Sequence, residues 1–410
     1  MKTKEFFIIT LFFYPYFLTH AVSLQQLIKD LKSHPKVKTL ELDRQTSRVK
    51  RVGQYLNWAP SVTLDRTWMG YSTSSSSQSP LEYERLSLKA DLNLFNGLED
   101  YASLRATQFS EESTKYDTQQ RWQKIQIEAA ENYIRCFRDK MLYDEATKNL
   151  EMRRKLAQVA KVRYQKGSLS QEGYLKLKID YQLAINDQLD QEQSLKACFR
   201  ELEFWTESEL DLEKPELLDK IKQSLNQHEK SLEAHPGAIS RQKFYEQAQW
   251  EVVTSRSSFL PKFNLSFSSY PATEYQEREE SVFFSISWRL FDRGTQWSRH
   301  QVKKIDERLA KLQTDIYTKE VKRDSLQEKE KIQRYSKQYN NNAENSKLAS
   351  GIFSSSLKRF ERGVISSNEV ALDQGRVINA RNAKWNSWYH LYHSWLKLIE
   401  ASGESLEKVF

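Results

Sequence analysis

The chain has 410 residues, of which 39% are apolar, 29% charged and 12% aromatic, with a formal net charge of +8 and a mean hydropathy of −0.75. That polarity excludes a bundle of membrane-spanning helices, because beyond the N-terminus no apolar run reaches the ~18 residues that a span requires. The 11 glycines and 8 prolines are few turn formers for this length, so long uninterrupted helices in an extended architecture are expected rather than a string of compact domains.

At the N-terminus, Lys2 and Lys4 precede an apolar run from Phe6 to Leu18, and Thr19-His20-Ala21 places small residues at the −3 and −1 positions of a cleavage site. The pattern predicts a signal peptide over residues 1–21, with a cut after Ser23 as the alternative, and hence an exported chain. The mature chain stays basic, yet its cations alternate with carboxylates, as in Lys319-Glu320-Val321-Lys322-Arg323-Asp324. Such interleaving marks a solvated helix face, and no nucleic-acid partner is expected.

From Leu24 to about Trp58 the chain reads as helix, with His34-Pro35 at a break or a fresh N-terminus, since proline is tolerated only in the first turn. Pro60 stops it. Val62, Leu64 and Trp68 then alternate with Thr63, Asp65 and Thr67, and beyond the polar loop Tyr71 to Pro80 a second alternating run leads from Leu86 to Leu94. Period two predicts a pair of strands, apolar on one face and polar on the other. Residues 98–166 contain neither glycine nor proline and predict one very long helix. Gly167 permits a reversal through its positive φ, and a return helix is expected over 170–207.

The second half repeats the first. His34-Pro35 recurs as His235-Pro236 and Pro60 as Pro261, both 201 residues on. Leu94-Phe95-Asn96-Gly97 recurs as Leu290-Phe291-Asp292-Arg293-Gly294, and Arg163-Tyr164-Gln165-Lys166-Gly167-Ser168-Leu169-Ser170 as Arg359-Phe360-Glu361-Arg362-Gly363-Val364-Ile365-Ser366, with Gly167 and Gly363 196 residues apart. Landmarks kept in order at near-constant spacing indicate an internal duplication. The expected division is a first repeat over 22–207, a linker over 208–230 and a second repeat over 231–410. The second repeat predicts strands over about 262–290, a long helix over 295–362 and a return helix over 366–402.

Strands of about ten residues with one apolar and one polar face match the wall of a transmembrane β-barrel. Four such strands are too few to close a barrel, and lipid does not tolerate an open edge, so several chains must share one; three copies would supply twelve strands. The expected fold class is therefore a mixed α/β membrane protein, mostly long antiparallel coiled-coil helices with four transmembrane strands per chain.

The duplicated proline before the first strand, the Leu-Phe-x-(x)-Gly exit from the second and the Arg-Tyr/Phe-x-x-Gly-x-Leu/Ile-Ser tips together resemble the TolC-like outer-membrane efflux proteins of Gram-negative bacteria, over about residues 24–405. The resemblance implies a homotrimer with a twelve-stranded barrel in outer-membrane lipid and an α-helical tunnel through the periplasm. It further implies docking to a periplasmic adaptor coupled to an inner-membrane pump or an ABC transporter of type I secretion. By the same resemblance, Arg163, Tyr164, Gly167, Leu169 and Ser170 with Arg359, Phe360, Gly363, Ile365 and Ser366 form the tip surface that meets the adaptor. The alternative is that each glycine serves only to reverse the helix.

Glu369 and Asp373 follow the second tip at i and i+4, on one helix face, where the first half has Gly173 and Leu177. Three copies could form carboxylate rings at a periplasmic gate that favours cations; a plain solvated face is the alternative. Cys136 and Cys198, the only cysteines, lie symmetrically about Gly167 and so face each other across the hairpin, as a disulfide or as two packed thiols. His390 and His393 stand at i, i+3 without a completing ligand set, and no phosphate loop or nucleophile motif appears. No cofactor, metal or enzymatic activity is expected. A periplasmic coiled-coil scaffold or adaptor is the competing function.

Overall fold

The computed structural model describes residues 23–69, 83–206, 212–215, 221, 234–271 and 277–409. The expected signal peptide, the loop Tyr71 to Pro80 and most of the linker over 208–230 lie outside the described residues.

Helix α1 (Leu24–Asp30) starts on Ser23, whose side chain accepts from the Gln26 N–H, and runs through a 3-10 turn (Leu31–Ser33) into α2 (Pro35–Leu56). His34 ends that turn and caps α2: Nδ1 accepts the Lys36 N–H at 3.2 Å while Nε2 lies 2.9 Å from the Phe204 carbonyl. Pro35 sits at the first helical position, where the missing N–H would have had no partner. The second half uses the same device. His235 Nδ1 accepts the Gly237 N–H at 3.0 Å and starts α5 (Pro236–Ser257).

Strands β1 (Ser61–Met69), β2 (Tyr83–Phe95), β3 (Lys262–Tyr270) and β4 (Glu279–Ser287) form one antiparallel sheet in the order β1-β2-β3-β4. The register places Leu64 opposite Leu88, Leu92 opposite Leu265 and Leu265 opposite Phe284, so the apolar residues of both halves share one face. The β2–β3 pairing joins the halves, with a bulge between Asn93 and Phe95. β4 ends at Ser287, three residues before the expected Leu290. The last pair is Lys262 with Ser287, and the next residue back along β3 is Pro261, which has no N–H to extend the ladder. Trp288 leaves the sheet and donates its indole N–H to the Phe259 carbonyl at 3.1 Å.

Each half then turns into a 67-residue helix, α3 (Glu99–Gln165) and α6 (Thr295–Glu361); at about 1.5 Å per residue each spans on the order of 100 Å. Both helices begin after two successive left-handed residues, Gly97-Leu98 and Arg293-Gly294. Both starts are closed by a side chain just upstream: Asn96 accepts the Asp100 N–H at 3.2 Å and Asp292 the Gln296 N–H at 2.8 Å. Return helices α4 (Gln171–Glu203) and α7 (Ser367–Ser402) complete two hairpins, and a short α8 (Leu406–Val409) follows. Cys136 and Cys198 are bonded across the first hairpin, with Cα atoms 5.5 Å apart. No helix among the described residues is long and apolar enough to cross a membrane.

Two apolar cores hold the hairpins together. The larger lies at mid-height, where Tyr133, Ile134 and Phe137 of α3 meet Trp388, Tyr392, Trp395 and Ile399 of α7, with Leu27 and Leu31 closing one side. The smaller lies at the tips and is built from Leu156, Ala160, Leu177, Phe353, Phe360, Ile365, Val370 and Val377, drawn from both hairpins.

Candidate functional site

The two tips end side by side at the pole opposite the sheet. Each reversal turns on a left-handed glycine, Gly167 at φ 70° and Gly363 at φ 80°. The closing hydrogen bonds match residue for residue: Gly167 N to Tyr164 O and Gly363 N to Phe360 O are both 3.0 Å, and Ser168 N to Arg163 O and Val364 N to Arg359 O are both 2.9 Å. Ser170 and Ser366 then start the return helices. The Ser170 hydroxyl accepts the Gly173 N–H at 3.1 Å, while Ser366 exchanges bonds with Glu369 in a capping box.

Side chains break this symmetry. Arg163 donates Nη1 to the Phe360 carbonyl at 2.9 Å and Nη2 to the Ser168 carbonyl at 3.0 Å, and its guanidinium lies 4.9 Å from the centre of the Phe360 ring. One cation thus ties the first tip to the second, with a ring contact added to two charge-assisted bonds. Lys176 bonds Asn368 across the same gap. The approach is close enough that a Cβ on Gly173 would stand 3.0 Å from Ser367 Oγ and 3.1 Å from Leu169 Cδ1. The sequence singles out Gly173 only as the position matching Glu369; the close contact that uses it depends on the other hairpin.

Phe360 and Ile365 are buried in the tip core and Leu169 packs against it, whereas Tyr164 and Val364 are exposed. The solvent-facing apolar groups of the tips are therefore Tyr164, stacked on Tyr174 at 5.5 Å, and Val364. Glu369 is exposed but bonded to the Ser366 N–H at 3.3 Å. Asp373 accepts from Ser356 Oγ at 2.5 Å and from Arg376 Nη1 at 2.8 Å. Both carboxylates of the expected gate thus carry local bonds in a single chain.

Above the tips a polar seam joins the hairpins. Buried Gln374 donates to Asn149 Oδ1 at 3.1 Å, and Arg381 donates to Glu145 at 2.9 Å, beside a cavity of about 220 Å³ lined also by Gln191 and Asn382. Nothing in the linear pattern marks this seam, because its partners stand more than 200 residues apart. His390 stacks on Tyr335, and no group of metal-ligating side chains occurs among the described residues.

No family profile and no curated protein matches the sequence. Solved structures match over nearly its whole length. The outer-membrane channel OprN superposes with a TM-score of 0.80 at 15% identity, covering 94% of this chain and 90% of its own. VceC, an outer-membrane protein from Vibrio cholerae, gives 0.79 at 15% identity over 93% of this chain and 96% of its own. The MtrE outer-membrane channel of Neisseria gonorrhoeae, in its open state, gives 0.79 at 15% identity over 93% and 89%. The chain has the TolC-like fold. Within that fold the sheet and the tips are the two poles of the chain, and the four helices of the hairpins run between them.

Proposed function

We propose that this protein is an outer-membrane channel, a passive conduit from periplasm to exterior. It acts as a homotrimer whose three four-stranded sheets close one twelve-stranded barrel and whose hairpins form the tunnel below it. The observation that carries the reading is the sheet. Val62, Leu64, Val282, Phe284 and Ile286 stand exposed on one face, and β1 and β4 are both open edges. A soluble protein rarely leaves such a face and two unpaired edges to water; lipid takes the face, and only closure with other copies satisfies the edges. The opposite face carries Asp65, Lys89, Asp91, Asn264, Ser266 and Ser268, with Lys89 bonded to Asp65 at 3.2 Å and Ser266 to Asp91 at 2.6 Å, a lining suited to water.

In this reading each chain is two repeats, 22–207 and 231–410, so the trimer carries six similar hairpins in a ring. The tips meet a periplasmic adaptor through Tyr164 and Val364, with Arg163, Gly167, Leu169, Ser170, Arg359, Phe360, Gly363, Ile365 and Ser366 shaping that surface. The adaptor couples the conduit to an inner-membrane pump or an ABC transporter, which supplies the energy. Glu369 and Asp373, three copies of each, form the gate. No residue is assigned to catalysis.

Conductance of the purified protein in a planar bilayer tests the reading. Stable channels with a cation preference that falls in Glu369→Gln/Asp373→Asn are expected. Channels indifferent to the substitutions would keep the conduit and remove the gate; failure to insert would favour the periplasmic scaffold.

A further inference from the structure

The two tip arginines are equivalent in sequence and local backbone but not in use. Arg163 is half-buried and holds the Phe360 carbonyl of the second tip. Arg359, 196 residues later, is exposed, and among the described residues its side chain has no hydrogen-bond or ion-pair partner. The acceptors are unequal in the same way. Phe360 O receives Arg163 in addition to backbone N–H groups of its own turn, whereas its counterpart Tyr164 O receives only such backbone groups, and the Tyr164 ring is 40% exposed where Phe360 is fully buried.

The flanks behind these residues are also incomplete. Within one chain the outbound helix α3 packs on the return helix α7 of the other hairpin, burying Leu156 and Ala160 against Val370 and Val377. The return helix α4 touches α7 at the tip, through Gly173, Lys176 and Leu177, and α6 reaches the first hairpin there through Phe360, yet the outer flanks of both helices stay uncovered. Leu348 and Ile352 of α6 and Leu175, Ile179 and Leu183 of α4 stand between 43% and 59% exposed. They lie at matching heights, Ile352 being 11 residues before Gly363 and Ile179 12 residues after Gly167.

In the trimeric reading above, repeating the rotation that relates the first hairpin to the second would bring a neighbouring copy's first hairpin against α6. We propose that Arg359 clasps a second copy of this chain: its guanidinium donates to the Tyr164 carbonyl of the neighbour and to its own Val364 carbonyl, and lies over the neighbour's Tyr164 ring. The groups it would take are those Arg163 takes, shifted by one hairpin. Leu348 and Ile352 then cover the neighbour's α4 as their counterparts Met152 and Leu156 cover α7. The arrangement closes the ring of tips with six equivalent arginine contacts, three within chains and three between them.

The inference rests on the trimeric reading above, and the test separates the two. Both native cysteines are bonded to each other, so introduced thiols report alone. In the full-length protein in detergent, Arg359→Cys/Tyr164→Cys treated with a short bismaleimide is expected to give covalent dimers and trimers on a denaturing gel. Arg359→Gln is expected to speed dissociation of the native trimer about tenfold, as the loss of charge-assisted bonds implies, with Arg359→Lys intermediate. Trimers by mass photometry that cross-link only within single chains, or dissociate at the wild-type rate in Arg359→Gln, would overturn the clasp and leave the channel standing. Monomers by mass photometry would overturn both.

Discussion

The two outbound helices have equal length and opposite environments. α3 packs against α2, α4, α5 and α7 and buries residues along most of its length, while α6 packs chiefly against α5 and α7 and leaves Ile305, Leu309, Leu312, Ile316, Leu326, Leu348 and Ile352 exposed. Leu156 and Ile352, separated by the repeat offset of 196, show the difference at one position: the first is 1% exposed, the second 53%. Apolar residues kept at equivalent sites but buried in only one indicate that the second site is also meant to be covered, by something outside the chain. The same asymmetry recurs at the tip arginines and at the sheet edges.

The sharpest way to break this comparison is to truncate the matched pair. Leu156→Ala opens a cavity in the tip core and is expected to destabilise the folded chain by about 2–5 kcal/mol. Ile352→Ala removes an exposed side chain and is expected to stay within about 0.5 kcal/mol for the isolated chain. Urea unfolding followed by circular dichroism on each variant's monomer checks both; equal losses would mean that α6 is already covered within the chain.

A smaller contrast lies where the long helices begin. A Cβ on Gly97 would stand 2.6 Å from the Ser257 carbonyl oxygen, while one on Gly294 meets nothing within 4 Å, and both glycines have positive φ. Gly294→Ala is expected to cost only the left-handed strain, about 1 kcal/mol. Gly97→Ala adds a backbone collision and is expected to lower the melting temperature by at least twice as much. Matching shifts would show that the α5–β3 junction yields easily.

The smallest effect lies at the second capping histidine. His235 is buried, and desolvation, helped by Lys124, holds its pKa below the ordinary 6.5 against the opposing bond to the Glu400 carbonyl. A histidine whose folded value is depressed binds protons more readily when unfolded, so its stabilisation is complete above pH 6.5 and declines as pH falls below that value. Wild type is therefore expected to lose more melting temperature between pH 7.5 and 5.5 than His235→Asn, in which asparagine keeps a capping oxygen. An unchanged difference between the two proteins would assign the acid sensitivity elsewhere.

Much of the fold is legible in the sequence because it is written in short-range terms. Alternation at Val62-Thr63-Leu64-Asp65 and at Val282 to Ile286 marks strands whatever they later pair with. The absence of glycine and proline from 98 to 166 marks a helix, and Gly167 and Gly363 mark its reversals. Periodicity alone carries β4 on to Leu290, past the point where Pro261 removes the ladder partner, and so overshoots its true end at Ser287. At the tips, the repeated motif points to the right segment but not to the use of each residue. Ile365 and Phe360 turn inward, Ser170 and Ser366 cap helices, and Glu369 closes a capping box.

What the sequence determined by itself is therefore the set of elements, the span of all but β4 to within a few residues, and their duplication, since each follows from neighbours a few residues apart and from two periods, 2 and 3.6. Tertiary structure alone decided which member of each duplicated pair is used: Arg163 rather than Arg359, Leu156 rather than Ile352, Gly173 as the point of closest approach. Two copies of one motif have the same local energetics, and only the segment that packs against each, hundreds of residues away, makes their burial and bonding differ.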